Sequence, residues 1–242
     1  MPLLECTDIV KKFGGLTALN KVSFSVERGL IFGVIGPNGA GKTTLLNCIT
    51  GVYKPDLGTI RFNNEDITGL RPHKICLKGI ARTHQIVKPF RTLSVYKNVM
   101  IGALFGRYGK KDSKIINEKV EEILEFTGLI DKKDVLASNL TLADQRKLEL
   151  ARALATNPEL LLLDEVIAGL NPTETDGMVN IVRQIRDMGI TIIMIEHVMR
   201  AVMKTCDRIM VLHHGEKIAI GTPKEISNNI KVIEAYLGKR YM

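Results

Sequence analysis

The chain has 242 residues, 45% of them hydrophobic, and a formal net charge of +8. That is apolar material for one large domain with a subdomain, and no apolar run approaches the ~20 residues of a membrane span. The opening MPLLECTDIV lacks a charged-then-apolar leader, and Cys6, Cys48, Cys76 and Cys206 are scattered without metal-ligand spacing, so a cytoplasmic protein with reduced structural thiols is expected.

Residues 3–10 and 21–27 alternate as half-buried strands do. LIFGVIG (30–36) reads as a buried strand ending in glycine, and KTTLLNCIT, from Lys42, as a helix stopped near Gly51 and Pro55. GTIRFNNEDIT (58–68) reads as strand, turn and strand end. From Arg71 to Lys114 there are eleven Lys/Arg against one acid, Asp112. That segment is either a solvated face or a face turned toward anionic lipid or nucleic acid. No aromatic-interleaved motif accompanies it, so a nucleic-acid partner is not expected. Residues 114–126 and 143–156 read as helices broken by Gly128 and by Asn157–Pro158. Thr141 stands where a cap would, with Asp144 three residues on. LLLLD (160–164) and ITIIMIE (190–196) are continuous apolar runs that suit parallel strands buried on both faces. Residues 207–221 read as a hairpin turning at His214–Gly215, which makes His213 and His214 structural. The tail, 223–237, reads as helix with Ile226, Ile230, Ile233 and Leu237 along one side. Strands, then helices, then strand–helix alternation predict an α/β nucleotide-binding core with a helical insertion near 87–156.

The stretch Gly36, Pro37, Asn38, Gly39, Ala40, Gly41, Lys42, Thr43 and Thr44 satisfies G-x-x-x-x-G-K-[ST] between a strand and a helix. Glycines let the backbone turn so that its N–H groups aim at phosphates, and the following helix start adds partial positive charge. Lys42 is expected on the β and γ phosphates of a nucleotide, and the Thr43 hydroxyl on Mg²⁺. The metal needs further oxygens and hydrolysis needs a base; Asp164, acting through water, and Glu165 fill those roles at the end of the 160–164 strand.

With these motifs the chain resembles the ATP-binding-cassette ATPases over almost its whole length. GPNGAGKTT matches the Walker A motif and LLLLDE the Walker B; Gln85 in ARTHQIVKPF matches the Q-loop, His197 in IIMIEHVM the switch histidine and AGLNP (168–172) the D-loop. Phe13 sits where the family stacks an aromatic ring on adenine. The resemblance implies a P-loop cassette fold with a mostly parallel core sheet, an N-terminal antiparallel β-subdomain and a helical subdomain. In these terms 1–86 and 157–242 form the nucleotide-binding core and 87–156 the helical signature subdomain. It implies catalytic roles for Glu165, His197 and Gln85, with Gln85 also a metal ligand. ALNKVSFSV, TGLRPHKICLKGIART, DEVIAGLNPTE and the tail GTPKEISNNIKVIEAYLG are similar to ATP-binding subunits of branched-chain amino acid importers. Related lipopolysaccharide-transport ATPases carry such tails too. The partners so implied are two membrane-spanning permeases, a sister ATPase chain or a second copy, and indirectly a substrate-binding protein, with the chain peripheral on the inner face of the membrane.

Family members work as head-to-tail dimers, each ATP held between one chain's Walker A and the other's signature. Here the signature is degenerate: Thr141, Leu142 and Ala143 stand where the wider family has Ser-Gly-Gly. Thr141 keeps a hydroxyl, while a Cβ at Ala143 crowds the backbone approach to a γ-phosphate. Val166 replaces a proline, Val198 an acid and His84 an aromatic residue. Beside the importer reading stand a soluble cassette ATPase for DNA repair or translation and a regulatory cassette that binds ATP without hydrolysing it. Neither tandem cassettes nor a long coiled-coil insertion is present for the first, and the intact Glu165 and His197 argue against the second.

Overall fold

The computed structural model describes residues 1–85, 88–107, 109 and 112–237, Leu237 by its backbone alone. In chain order the elements are β1 (Leu4–Phe13), β2 (Leu16–Val26), β3 (Ile31–Ile35), α1 (Lys42–Ile49), β4 (Leu57–Phe62), β5 (Glu65–Asp66), α2 (Pro72–Lys78) and β6 (Ile80–Arg82). There follow α3 (Val95–Phe105), α4 (Ser113–Phe126), α5 (Leu142–Ala155), β7 (Leu160–Asp164), α6 (Pro172–Asp187) and β8 (Thr191–Ile195). The chain closes with α7 (Met199–Thr205), β9 (Arg208–His213), β10 (Glu216–Gly221), α8 (Pro223–Ser227) and α9 (Ile230–Leu237). Two compact units result, Met1–Ile75 with Thr191–Met242, and Cys76–Ile190.

The first unit holds the antiparallel sheet β2-β1-β4-β5, as the N-terminal alternation implied. Leu4 pairs with both Val26 and Phe62 and is fully buried, while its neighbour Glu5 faces water. The unit also holds β3, parallel to β8 on one side and to β9 on the other. Every residue of β3 and β8 is buried, so Ile192, Ile193 and Ile195 each contribute ~1.5–3 kcal/mol of apolar burial. β10 returns antiparallel on β9 through His214 and Gly215, both at positive φ as a type I′ turn requires.

In the second unit β6 and β7 pair in parallel, Ile80 opposite Leu160, and β7 is wholly buried. The helices beside them start at identifiable caps. Ser94 accepts from the Lys97 N–H, Asp112 from the Lys114 N–H, and Thr141 from the Asp144 N–H at 3.2 Å. Asn171 and Glu174 form a reciprocal capping box with Pro172 at the first helical position. α4 buries Ile116, Val120, Ile123 and Leu124, a stripe at helical spacing.

The tail departs from expectation. It is not one helix: α8 ends at Asn228 and α9 restarts after Asn229, whose side-chain oxygen accepts from the Val232 N–H. The expected apolar side is lost with the break. Ile226 is buried, but Ile230 is 63% exposed, and Val232, outside the counted series, is the one buried among the described side chains of α9. The Leu237 side chain lies outside the described residues, as do Lys110 and Lys111 of the basic segment.

Candidate nucleotide site

The phosphate-loop residues fall in the first unit. β3 ends at Ile35, and the loop turns back into α1 through Gly36 (φ 152°) and Gly41 (φ 101°). A Cβ at Gly36 would stand 2.1 Å from the Leu212 carbonyl oxygen, and one at Gly41 2.5 Å from that of Ala18. Glycine is therefore required at both positions by contact as well as by dihedral. The Lys42 ammonium donates to the carbonyls of Gly36 at 2.6 Å and Pro37 at 3.0 Å, so the buried lysine lies along its own loop. Asn38, Gly39 and Thr43 are exposed, Pro37 and Thr44 half-buried, and Ala40 buried. The first turn of α1 contains no acid, which leaves its N-terminal partial charge unopposed.

Phe13, at the end of β1, is 41% exposed and meets Tyr53 edge to face at 5.2 Å. Lys11 stands 5.5 Å from the same ring. His197 is exposed in the turn after β8, next to the buried Glu196.

The second unit brings together Gln85, Asp164 and Glu165. Gln85 Nε2 donates to Glu165 Oε2 at 2.7 Å. Glu165 has φ 53°, in the left-handed region, where a non-glycine residue is strained by about 1–3 kcal/mol. The two residues that follow it, Val166 and Ile167, are buried, each 1% exposed. Asp164 Oδ2 accepts from Arg82 at 2.7 Å in a buried ion pair, and the Asp164 N–H donates to Thr83 Oγ1. Asp164 Oδ1 is buried and takes no hydrogen bond among the described residues. A buried carboxylate oxygen without a hydrogen-bond donor, at a strand end, fits a cation that keeps part of its water shell, as Mg²⁺ does.

Sequence reasoning missed several residues around this triad. Arg82 belongs to the basic segment read as surface, yet its charge is spent inside on Asp164; Arg107 likewise pairs with Glu159 at 3.0 Å. Glu149 of α5 accepts from the His84 N–H at 2.7 Å. Burial pushes its carboxyl up to about 7, against the opposing His84 N–H and Arg146. Burial, with Arg82 nearby, lowers the His84 imidazole. Contacts across 52 to 82 residues of chain leave no periodic trace, so no sequence signal marks these partners.

At the degenerate signature, Thr141 caps α5 and also donates its hydroxyl proton to Asp144 Oδ2 at 2.9 Å. Lys132 reaches the same oxygen at 2.5 Å. Burial opposes ionisation of Asp144, but these two donors hold its carboxyl below the ordinary value. Ala143 is half-buried and lines a groove of about 210 Å³ with Lys147, Leu170, Thr173, Glu174 and Met178.

The family model described as ABC transporter matches residues 19–168, and one described as Branched-chain amino acid ATP-binding cassette transporter matches 216–241. With the phosphate loop on β3 and the acid pair on β7, the chain belongs to the ABC transporter family as one of its ATP-binding cassettes, and it is an ATPase. It is 41% identical to the high-affinity branched-chain amino acid transport ATP-binding protein LivG of Salmonella typhimurium, with 98% of each chain covered. It is 39% identical to the corresponding protein BraF of Pseudomonas aeruginosa, again over 98% of each. Among solved structures it is similar to the ADP conformation of MJ1267, an ATP-binding cassette of an ABC transporter. That likeness has a TM-score of 0.90 at 36% identity and covers 99% of this chain and 100% of the other. A nucleotide-free cassette from an ABC transporter gives a TM-score of 0.89 at 35% identity with the same coverage. Among the described residues no helix is long and apolar enough to cross a membrane.

Proposed function

We propose that this chain is the ATP-hydrolysing subunit of a branched-chain amino acid importer. The observation that carries the reading is the likeness to transport ATP-binding proteins of that class along 98% of the chain, with the tail model matching at 216–241. Two such chains, copies or sisters, are held head to tail on two membrane-spanning permeases that receive substrate from a binding protein. The chain then lies on the inner face of the membrane. ATP favours the closed arrangement because only there do both chains contact it.

The residue roles follow the site chemistry. Phe13 stacks on adenine. The amides from Gly36 to Gly41, with Lys42, Thr43 and Thr44, take the phosphates. Thr43, Gln85 and, through water, Asp164 would hold Mg²⁺, which when bound neutralises phosphate charge. Glu165 orients and deprotonates the attacking water, and Gln85 fixes that carboxylate by the 2.7 Å bond. His197 meets the γ-phosphate end of the nucleotide. Thr141 and Ala143, at the start of α5, face the nucleotide bound to the partner's loop.

Glu165→Gln tests the reading. Binding survives while the base is lost, so an ATP-bound dimer accumulates and hydrolysis falls by on the order of a hundredfold. Hydrolysis by this variant at the wild-type rate would refute the assignment. ATPase activity stimulated by nucleic acid or ribosomes would refute the transport reading.

A further inference from the structure

Helix α5 presents three long side chains to the segment around Gln85. Arg146, Glu149 and Arg152 recur every third residue and so share one side of the helix. All three bond main-chain atoms. Glu149 Oε1 accepts from the His84 N–H at 2.7 Å. Arg146 Nη1 donates to the Gln85 carbonyl at 2.9 Å and to the His84 carbonyl at 3.4 Å. Arg152 Nη1 donates to the Lys88 carbonyl at 3.0 Å, and its guanidinium lies 4.7 Å from the Phe90 ring centroid.

Arg146 and Glu149 are 6% and 7% exposed. Burying ions is costly, and apolar side chains of similar volume usually stabilise at least as well. Leu148, Leu150 and Ala151 already pack this helix. What the charged pair adds is directed bonding to particular backbone groups. Gln85 in turn donates to Glu165. An unbroken line of hydrogen bonds therefore runs from α5 through the main chain of residues 84 and 85 to Glu165, and α5 begins at Thr141–Leu142–Ala143.

We infer that Glu149 and Arg146 are positioning residues that set where Gln85 holds Glu165. They tie that position to the helix whose first turn serves the partner's nucleotide. This rests on the ATPase reading above.

The test is steady-state hydrolysis and equilibrium ATP binding by the full-length chain with Mg·ATP. Glu149→Leu removes the acceptor at near-equal volume, and Glu149→Gln keeps it. Glu149→Leu should lower kcat about tenfold with the ATP Kd changed less than about threefold, while Glu149→Gln retains most of the rate. In a Gln85→Ala background Glu149→Leu should cost less than about twofold more, because both act through one group. Arg146→Met, measured in both backgrounds, supplies an independent second series should Glu149→Leu not fold. Wild-type kcat in Arg146→Met or Glu149→Leu, or losses that multiply with Gln85→Ala, would overturn the inference. Those results leave the ATPase reading standing. That reading fails separately if Glu165→Gln hydrolyses normally.

Discussion

Replacing Glu149 by glutamine measures the cost of burying its carboxylate. Burial raises this group from 4.5 to about 7; the His84 N–H, Arg146 and Arg152 pull it down, and Asp164 adds to the rise. The compensation is incomplete because the nearest Arg146 nitrogen stands 4.0 Å from Glu149 Oε2, which has no hydrogen-bond partner among the described residues. A carboxyl raised on folding binds more protons in the native state than in the unfolded one. Its contribution to stability is therefore full below about 4.5 and falls as the pH rises to about 7. The gap between the two values corresponds to about 3 kcal/mol. Glutamine copies the neutral acid and keeps the oxygen that accepts from His84. The variant should match wild type within about 1 kcal/mol near pH 5 and exceed it by about 3 kcal/mol near pH 8. For a chain of this length that is a Tm higher by about 6–12 °C at the upper pH. Thermal melts of both proteins at the two pH values make the measurement, with the other titrating groups cancelling in the difference. An equal Tm difference at both pH values would show that the His84 N–H and Arg146 cancel desolvation, and a variant less stable near pH 8 that they outweigh it.

Two further outcomes are expected. Lys42→Ala removes the ammonium that now bridges the Gly36 and Pro37 carbonyls, and it should weaken ATP binding at least about tenfold. Unchanged affinity in a calorimetric titration refutes the phosphate role. Ala143→Gly removes the Cβ at the start of α5 and should raise hydrolysis at the site whose phosphate loop lies in the partner, at a stability cost of about 0.5–1 kcal/mol. Turnover unaltered in the assembled dimer means that Ala143 is harmless.

Much of the fold was legible because its strongest elements are local. The apolar runs at 30–36, 160–164 and 190–196 are the strands β3, β7 and β8, each wholly buried. The His214–Gly215 turn and the Thr141 cap were readable because a turn and a cap are made by residues adjacent in the chain. The tail misled because isoleucine spacing was counted across Asn228–Asn229, where asparagine side chains compete with helical hydrogen bonding and restart the helix. The basic segment misled in part, since charge counts do not distinguish a solvated arginine from Arg82 paired with a buried aspartate.

The glycine-rich G-x-x-x-x-G-K-[ST] pattern, the acid pair after an apolar strand and the family were legible from the residues alone. Those motifs are short, and their chemistry depends on neighbours within a few residues. The tertiary structure alone decided that Asp164 is held by Arg82, that Gln85 bonds Glu165, and that α5 grips the backbone at residues 84 and 85. Each of these joins groups roughly sixty to eighty residues apart, and only folding brings such groups within hydrogen-bonding distance.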